Sequence, residues 1–286
     1  MRSHFIPASA GTKSVRSSLI SGAAIACAVT GVTALMPSTA TAQFAHDSAS
    51  TYGSWTAGST GGTGFGAWSF DGTSGGGGQE LSSAGAIGTA WTMYTTTTGG
   101  GISDVGRSIT ENGGLGVGQM FQAVIQNPTS YHYFGGFDIL FLNATDNNAG
   151  GDNTSAIRAQ GFHSGYYNPG DLWSVQDNGG GNQSTSLSSA NTGASGVQVD
   201  LFLNSLTSYT LTLKALNGSG YSQINGTYSG PINYVNFRMY DGVGSTGPND
   251  VADNFGISYM EVVPEPSSVA LAGLGFGSLL FLRRKK

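Results

Sequence analysis

Three glutamates, Glu80, Glu111 and Glu261, are the only ones between residues 43 and 263. Hydrolysis of a glycosidic bond needs two carboxyl groups about 5–10 Å apart, and no strand-like run here carries a closely spaced Glu/Asp set. The histidines of the same span, His46, His132 and His163, make no zinc pair at i, i+2 or i, i+4. Gly72-Thr73-Ser74-Gly75-Gly76 matches G-x-S-x-G. A nucleophile elbow needs a helix after the serine, and glycines follow instead, so the match reads as a loop. Gly242-Val243-Gly244-Ser245-Thr246-Gly247 matches G-x-G-x-x-G, but Pro248-Asn249-Asp250 stands where a dinucleotide site needs a helix. It reads as a turn. No residue is assigned to catalysis, and the expectation is a protein that is not an enzyme.

Binding chemistry has more support. Asp146–Asn153 and the stretch holding Asp241, Asp250 and Asp253 are dense in hard oxygen ligands. Calcium takes six to eight such oxygens from a flexible loop. Asn, Asp and Gly are also ordinary turn residues, so both readings stand. The second cluster is the better place for a structural Ca2+, and no other cofactor is expected. Of the tryptophans, Trp68 and Trp91 sit in strand-like runs and read as core. Tyr166, Tyr167 and Trp173 flank Asn168-Pro169-Gly170-Asp171, a turn-forming sequence. Aromatic faces stack on flat apolar surfaces, sugar rings among them. These three residues are therefore candidates for an exposed carbohydrate platform, with burial in the core as the competing reading.

The elements that must carry these residues are strands. The chain has 286 residues, 47 of them Gly, with one Cys and 9% charged residues. That excludes a coiled coil, and a disulfide scaffold is excluded by the cysteine count. Candidate strands are Phe65–Phe70, Ala90–Thr95, Val117–Ile125, Gly136–Leu142, Ala156–His163 and Leu172–Gln176. Further ones are Val197–Leu203, Ser208–Ala215, Ser222–Tyr228, Ile232–Tyr240 and Phe255–Val263. Tyr209-Thr210-Leu211-Thr212-Leu213 alternates, as do Val235, Phe237 and Met239 with their polar neighbours. Such alternation describes a sheet with one buried and one wet face. About eleven strands and no amphipathic helix predict an all-β, antiparallel jelly-roll β-sandwich. A β-solenoid is the alternative, and no fixed period of about 20–30 residues supports it.

Both ends of the chain differ from this middle. Residues 1–42 read as a signal peptide with a basic start, an apolar helix from Leu19 to Met36 and an Ala40-Thr41-Ala42 cleavage site. The export machinery and signal peptidase are then partners, and the processed chain begins at Gln43. Residues 43–263 form the passenger domain. It holds 15 acidic residues and four basic ones, a net charge of −11, which argues against nucleic acid as a partner. Residues 264–286 follow. Pro264-Glu265-Pro266 holds the backbone extended, Ser267–Leu282 is uncharged and mostly apolar, and Arg283-Arg284-Lys285-Lys286 closes the chain. With Val262 and Val263 the apolar run approaches the roughly 20 residues of a transmembrane helix, and the cations belong on the cytoplasmic side.

This order of Pro-Glu-Pro, apolar helix and basic tail resembles the PEP-CTERM sorting signal. The resemblance implies an exported substrate of an exosortase-type transpeptidase in a Gram-negative bacterium. Such a protein is anchored transiently in the inner membrane, is cleaved near the Pro-Glu-Pro element, and ends at the cell surface or in the extracellular matrix. The family is linked to exopolysaccharide and biofilm, which makes polysaccharide a candidate partner. Gly61–Phe70, Tyr209–Leu213 and Asn249–Phe255 resemble PEP-CTERM passengers related to concanavalin-like jelly rolls, and carry no catalytic residue with them. The function expected is binding or organising matrix polysaccharide. A glycan-active enzyme and a purely structural or adhesive surface protein are the alternatives.

Overall fold

The computed structural model describes residues 45–74, 77–95, 102–126, 136–143, 157–162, 172–177, 181–188, 195–240 and 255–264. The expected signal segment, Glu265, Pro266 and the rest of the sorting tail, Tyr166, Tyr167, Asp241, Asp250 and Asp253 all lie outside them. Among the described residues no helix is long and apolar enough to cross a membrane.

Among the described residues fifteen strands form two antiparallel sheets. They are β1 (Ala45–Ser48), β2 (Ser69–Ser74), β3 (Gly78–Ala84), β4 (Gly88–Tyr94), β5 (Ile102–Ser108), β6 (Gln119–Gln126), β7 (Gly136–Leu142) and β8 (Ile157–Phe162). The remainder are β9 (Leu172–Asp177), β10 (Gly181–Ser188), β11 (Val197–Leu203), β12 (Ser208–Ala215), β13 (Tyr221–Thr227), β14 (Tyr234–Tyr240) and β15 (Phe255–Pro264). The eight-stranded sheet runs β13-β12-β11-β6-β15-β4-β3, with β1 also paired to β15. The seven-stranded sheet runs β10-β9-β8-β7-β14-β5-β2. The last two strands thus fill the middle of each sheet. β15 bulges between Ile257 and Tyr259, pairing with β4 before the bulge and β1 after it.

One apolar core joins the inner faces. Alternation explains its membership: Val197, Val199, Leu201 and Leu203 are buried along β11, and Tyr209, Leu211, Leu213 and Ala215 along β12. The runs read at 136–142, 197–203 and 208–215 form strands with those bounds. The run read at 65–70 does not. Phe65 makes only an isolated bridge to Ile109, and the strand begins at Ser69. Gly62 has φ +67, and a Cβ there would meet the His46 carbonyl oxygen at 2.0 Å, so the chain must turn where only glycine fits.

That turn wraps around a buried cation. Arg107 on β5 points into the core and pairs with Asp47 of β1, both side chains fully buried. Its Nε donates to the Gly66 carbonyl at 3.0 Å, and the guanidinium lies 5.0 Å from the ring centres of both Phe65 and Trp68. Tyr52 donates its hydroxyl to Asp47 Oδ2 at 2.6 Å. Burial first, and this bond to a carboxylate second, push the Tyr52 phenol up to about 12. The charge is fully paired, as a buried charge must be.

Candidate functional site

Strand alternation that sends Val235, Phe237 and Met239 inward sends Tyr234, Asn236 and Arg238 to the opposite face of the seven-stranded sheet. The register then assembles a polar row there. Ser174 on β9, Asp138 on β7, Arg238 on β14 and Asp104 on β5 stand in line, with backbone position 160 of β8 between the first two. Neighbouring strands lie about 4.8 Å apart, so Asp104 and Asp138 flank Arg238 from its two sides. Arg238 Nε donates to Asp104 Oδ2 at 3.1 Å, with the two side chains 9% and 1% exposed. Asp138 is fully buried.

The next row holds Leu140 and Asn236, and beyond them Leu142 pairs with Tyr234. Leu140, Leu142 and Tyr234 form their own small apolar cluster, apart from the main core. Gly106 makes room for it: a Cβ there would stand 2.4 Å from the Tyr234 ring. Asn236 is 2% exposed, and its side-chain oxygen has no hydrogen-bond partner. A buried acceptor left in this state loses about 1–3 kcal/mol relative to hydration.

The chemistry of this face is set by the Arg238–Asp104 ion pair. A glycosidase pair needs one carboxyl free to give a proton, whereas Asp104 is engaged by a guanidinium. The guanidinium, carboxylates, amide and tyrosine of these rows are all buried. The sequence signals for these residues were thin. Asp138 is a lone carboxylate in the apolar run Gly136-Phe137-Asp138-Ile139-Leu140-Phe141-Leu142, and Arg238 is the sole cation of Tyr234–Tyr240. Neither spacing reveals that the two meet.

The platform expected at Trp173 is corrected. Trp173 is fully buried in β9 and packs edge-on against Phe137 at 4.7 Å between ring centres. Its neighbour Ser174 takes the outer face, so alternation forces Trp173 inward. Trp55, Trp68 and Trp91 are buried too, which leaves no tryptophan of the passenger for stacking on a ligand. Trp68 and Trp91 are core, as read. Ser74 lies at the end of a strand and β3 follows, so Gly72–Gly76 is no nucleophile elbow. Among the described residues no three His, Cys, Asp or Glu side chains converge on a metal position.

On the eight-stranded sheet the outer face carries a second polar cluster. Asp200 accepts hydrogen bonds from Gln122 at 2.8 Å and Gln198 at 3.0 Å. Burial above all raises its carboxyl beyond the usual range. At the far edge Tyr209 donates to Asp177 Oδ2 at 3.0 Å and so ties the two sheets. Burial, then the Asp177 charge, drive that phenol upward. Both clusters are internally satisfied bracing.

Comparison with known proteins adds the address. Residues 262–286 match the model of the PEP-CTERM protein-sorting motif. No curated protein matches the chain. Among solved structures, lectin II from Ulex europaeus is similar at 10% identity and TM-score 0.41, over 73% of this chain and 96% of that one. The Ca2+/Man3GlcNAc-bound exoplasmic/lumenal domain of VIP36 is similar at 11% identity and TM-score 0.45, over 69% and 83%. A protein of unknown function from Shewanella oneidensis MR-1 is similar at 12% identity and TM-score 0.46, over 88% and 98%. The matched motif begins inside β15, so the sorting signal continues the central strand of the sandwich without a linker. The chain carries a PEP-CTERM protein-sorting motif at residues 262–286, and the residues before it form a two-sheet antiparallel β-sandwich.

Proposed function

We propose that this is an exported, exosortase-processed envelope protein whose sandwich binds or organises matrix polysaccharide without cleaving it. The sorting motif supports export, transient anchoring in the membrane and processing. The observation that supports the binding reading is the buried polar row on the side of the seven-stranded sheet away from the main core, with the unpartnered Asn236 oxygen beside it. Hydroxyl-rich ligands satisfy such groups, and the paired state of Asp104 favours holding over hydrolysis. The experiment is binding of the full chain to the producing cell's own polysaccharide and to a glycan panel. Asn236→Ala is expected to weaken binding at least tenfold while leaving the melting temperature within a few degrees. A variant that melts normally and binds like the parent sinks the reading, and release of shortened sugar chains would make the protein an enzyme instead. A structural Ca2+ on the segment holding Asp241, Asp250 and Asp253 belongs to the same reading. A melting temperature unmoved by chelator would remove it.

A further inference from the structure

The tail leaves the sandwich at one end, and that end has a distinct surface. Pro264 pairs with Gln119, Val263 with Met120, and Met120 in turn with Phe202. Residues 115–118 before β6 and 204–207 after β11 therefore lie past Pro264 at the end of the sheet where β15 finishes. Ala45 pairs with Val262, so the chain also enters β1 at this same end. Ser208 pairs with Thr227, which places the start of 228–233 there too. None of the segments 115–118, 204–207 and 228–233 contains a charged residue.

Of the four large apolar side chains that stand exposed among the described residues, two lie here: Leu206 at 80% and Val117 at 49%. Leu206 sits at the tip of a braced turn. Asn204 donates its N–H to the Ser208 carbonyl at 3.0 Å, Thr207 N–H donates to Ser205 Oγ at 3.2 Å, and the Tyr228 hydroxyl donates to the Ser205 carbonyl at 2.8 Å. The turn holds a leucine in solvent with a stiff backbone. A soluble surface gains nothing from that, since burial of a leucine elsewhere would stabilise the fold.

Chain length says what covers it. From Pro264 to Ser267, the first residue of the apolar run, three peptide units reach at most about 10 Å. The headgroup layer of a bilayer is itself about 5–8 Å thick on each side. With Ser267 at the hydrocarbon boundary, the loops that project past Pro264 lie within the interface.

We propose that this end of the sandwich is a membrane-docking edge. Leu206 and Val117 insert into the phospholipid interface beside the tail while the precursor is anchored, and hold the Pro-Glu-Pro element at a fixed depth. Uncharged loops make the contact apolar rather than electrostatic. The inference rests on the anchored-precursor reading above and adds the orientation of the passenger.

The test uses the full chain with Cys27→Ser, in phosphatidylcholine vesicles that include headgroup spin-labelled lipid. Single labels are carried by Leu206→Cys, Val117→Cys, Leu216→Cys and Leu271→Cys. Leu216 is 43% exposed in the turn between β12 and β13, at the opposite end of the same sheet. The spin label is expected to quench fluorescence at 206 and 117 several-fold more than at 216, equally in low and high salt. Leu206→Asp is expected to reduce quenching at 117 with the melting temperature unchanged. Quenching at 271 without quenching at 206 overturns the docking edge and leaves the anchor standing. Equal quenching at 206 and 216 overturns it as well. Absence of quenching at 271 removes the anchor and the edge together.

Discussion

At the scale of single residues the fold depends on groups that cannot be replaced by size alone. Tyr52 is the clearest titrating case. Its phenol is pushed up to about 12 from an ordinary 10.0, so folding favours the neutral form. The stability this provides is complete below pH 10 and is lost as pH rises through about 12. Tyr52→Phe removes the hydrogen bond to Asp47 and leaves the Asp47–Arg107 pair. We expect a loss of about 1–2 kcal/mol at neutral pH, and an unfolding free energy that falls less steeply between pH 10 and 12 than in the parent. Alkaline denaturation followed by tyrosinate absorbance checks both, and an unchanged slope would reject the assignment. Trp173 gives a second test. Removing a buried indole packed on Phe137 is expected to cost about 3–5 kcal/mol, read as a shift in the denaturant midpoint. A loss below about 1 kcal/mol would mean that the side chain is not core.

At the scale of elements, the strands that close the sheets come last in the chain. β14 lies between β7 and β5, and β15 between β6 and β4. Until β15 is present, the eight-stranded sheet is divided and both halves show open edges. A chain ending at residue 240 is therefore expected to lack a cooperative melting transition and to be digested rapidly by thermolysin. A chain ending at 264 should melt cooperatively. Equal protease resistance of the two would show that β15 is dispensable. This arrangement also explains what was readable. β11 and β12 alternate strictly and show their bounds in the residues themselves. β1, β3, β5 and β10 carry no such pattern. β3 and β10 are sheet edges, where polar residues are tolerated, and β1 has four residues. β5 places a charged residue, Arg107, where alternation calls for an apolar one. A buried cation is stable only with partners from distant positions, here Asp47, Gly66 and Trp68, and local pattern contains none of them.

For the whole molecule, the sorting motif matched at residues 262–286 overlaps the last residues of β15 in the sequence. Pro264 ends the ladder of β15, having no N–H to continue it, and begins the Pro-Glu-Pro element. Pro264→Ala together with Pro266→Ala should leave the sandwich folded, because Pro264 is already at the strand terminus. It should block maturation, with unprocessed precursor accumulating in the membrane. Mass spectrometry showing a normally processed C-terminus in the double variant would refute the role of the element. The passenger carries a net charge of −11, an acidic surface that repels phosphate backbones. The address at the C-terminus and the all-β class were legible from the residues, because an apolar run between fixed flanks and a two-residue alternation are local patterns. What the folded chain decided is which side chains meet. Asp104, Asp138, Asn236 and Arg238 come from strands more than a hundred positions apart at the extremes, and only the register of β5, β14 and β7 lines them up. Trp173 turned inward for the same reason: the face a side chain takes follows from its strand's register and the sheet it packs against, and both depend on contacts that no local window contains.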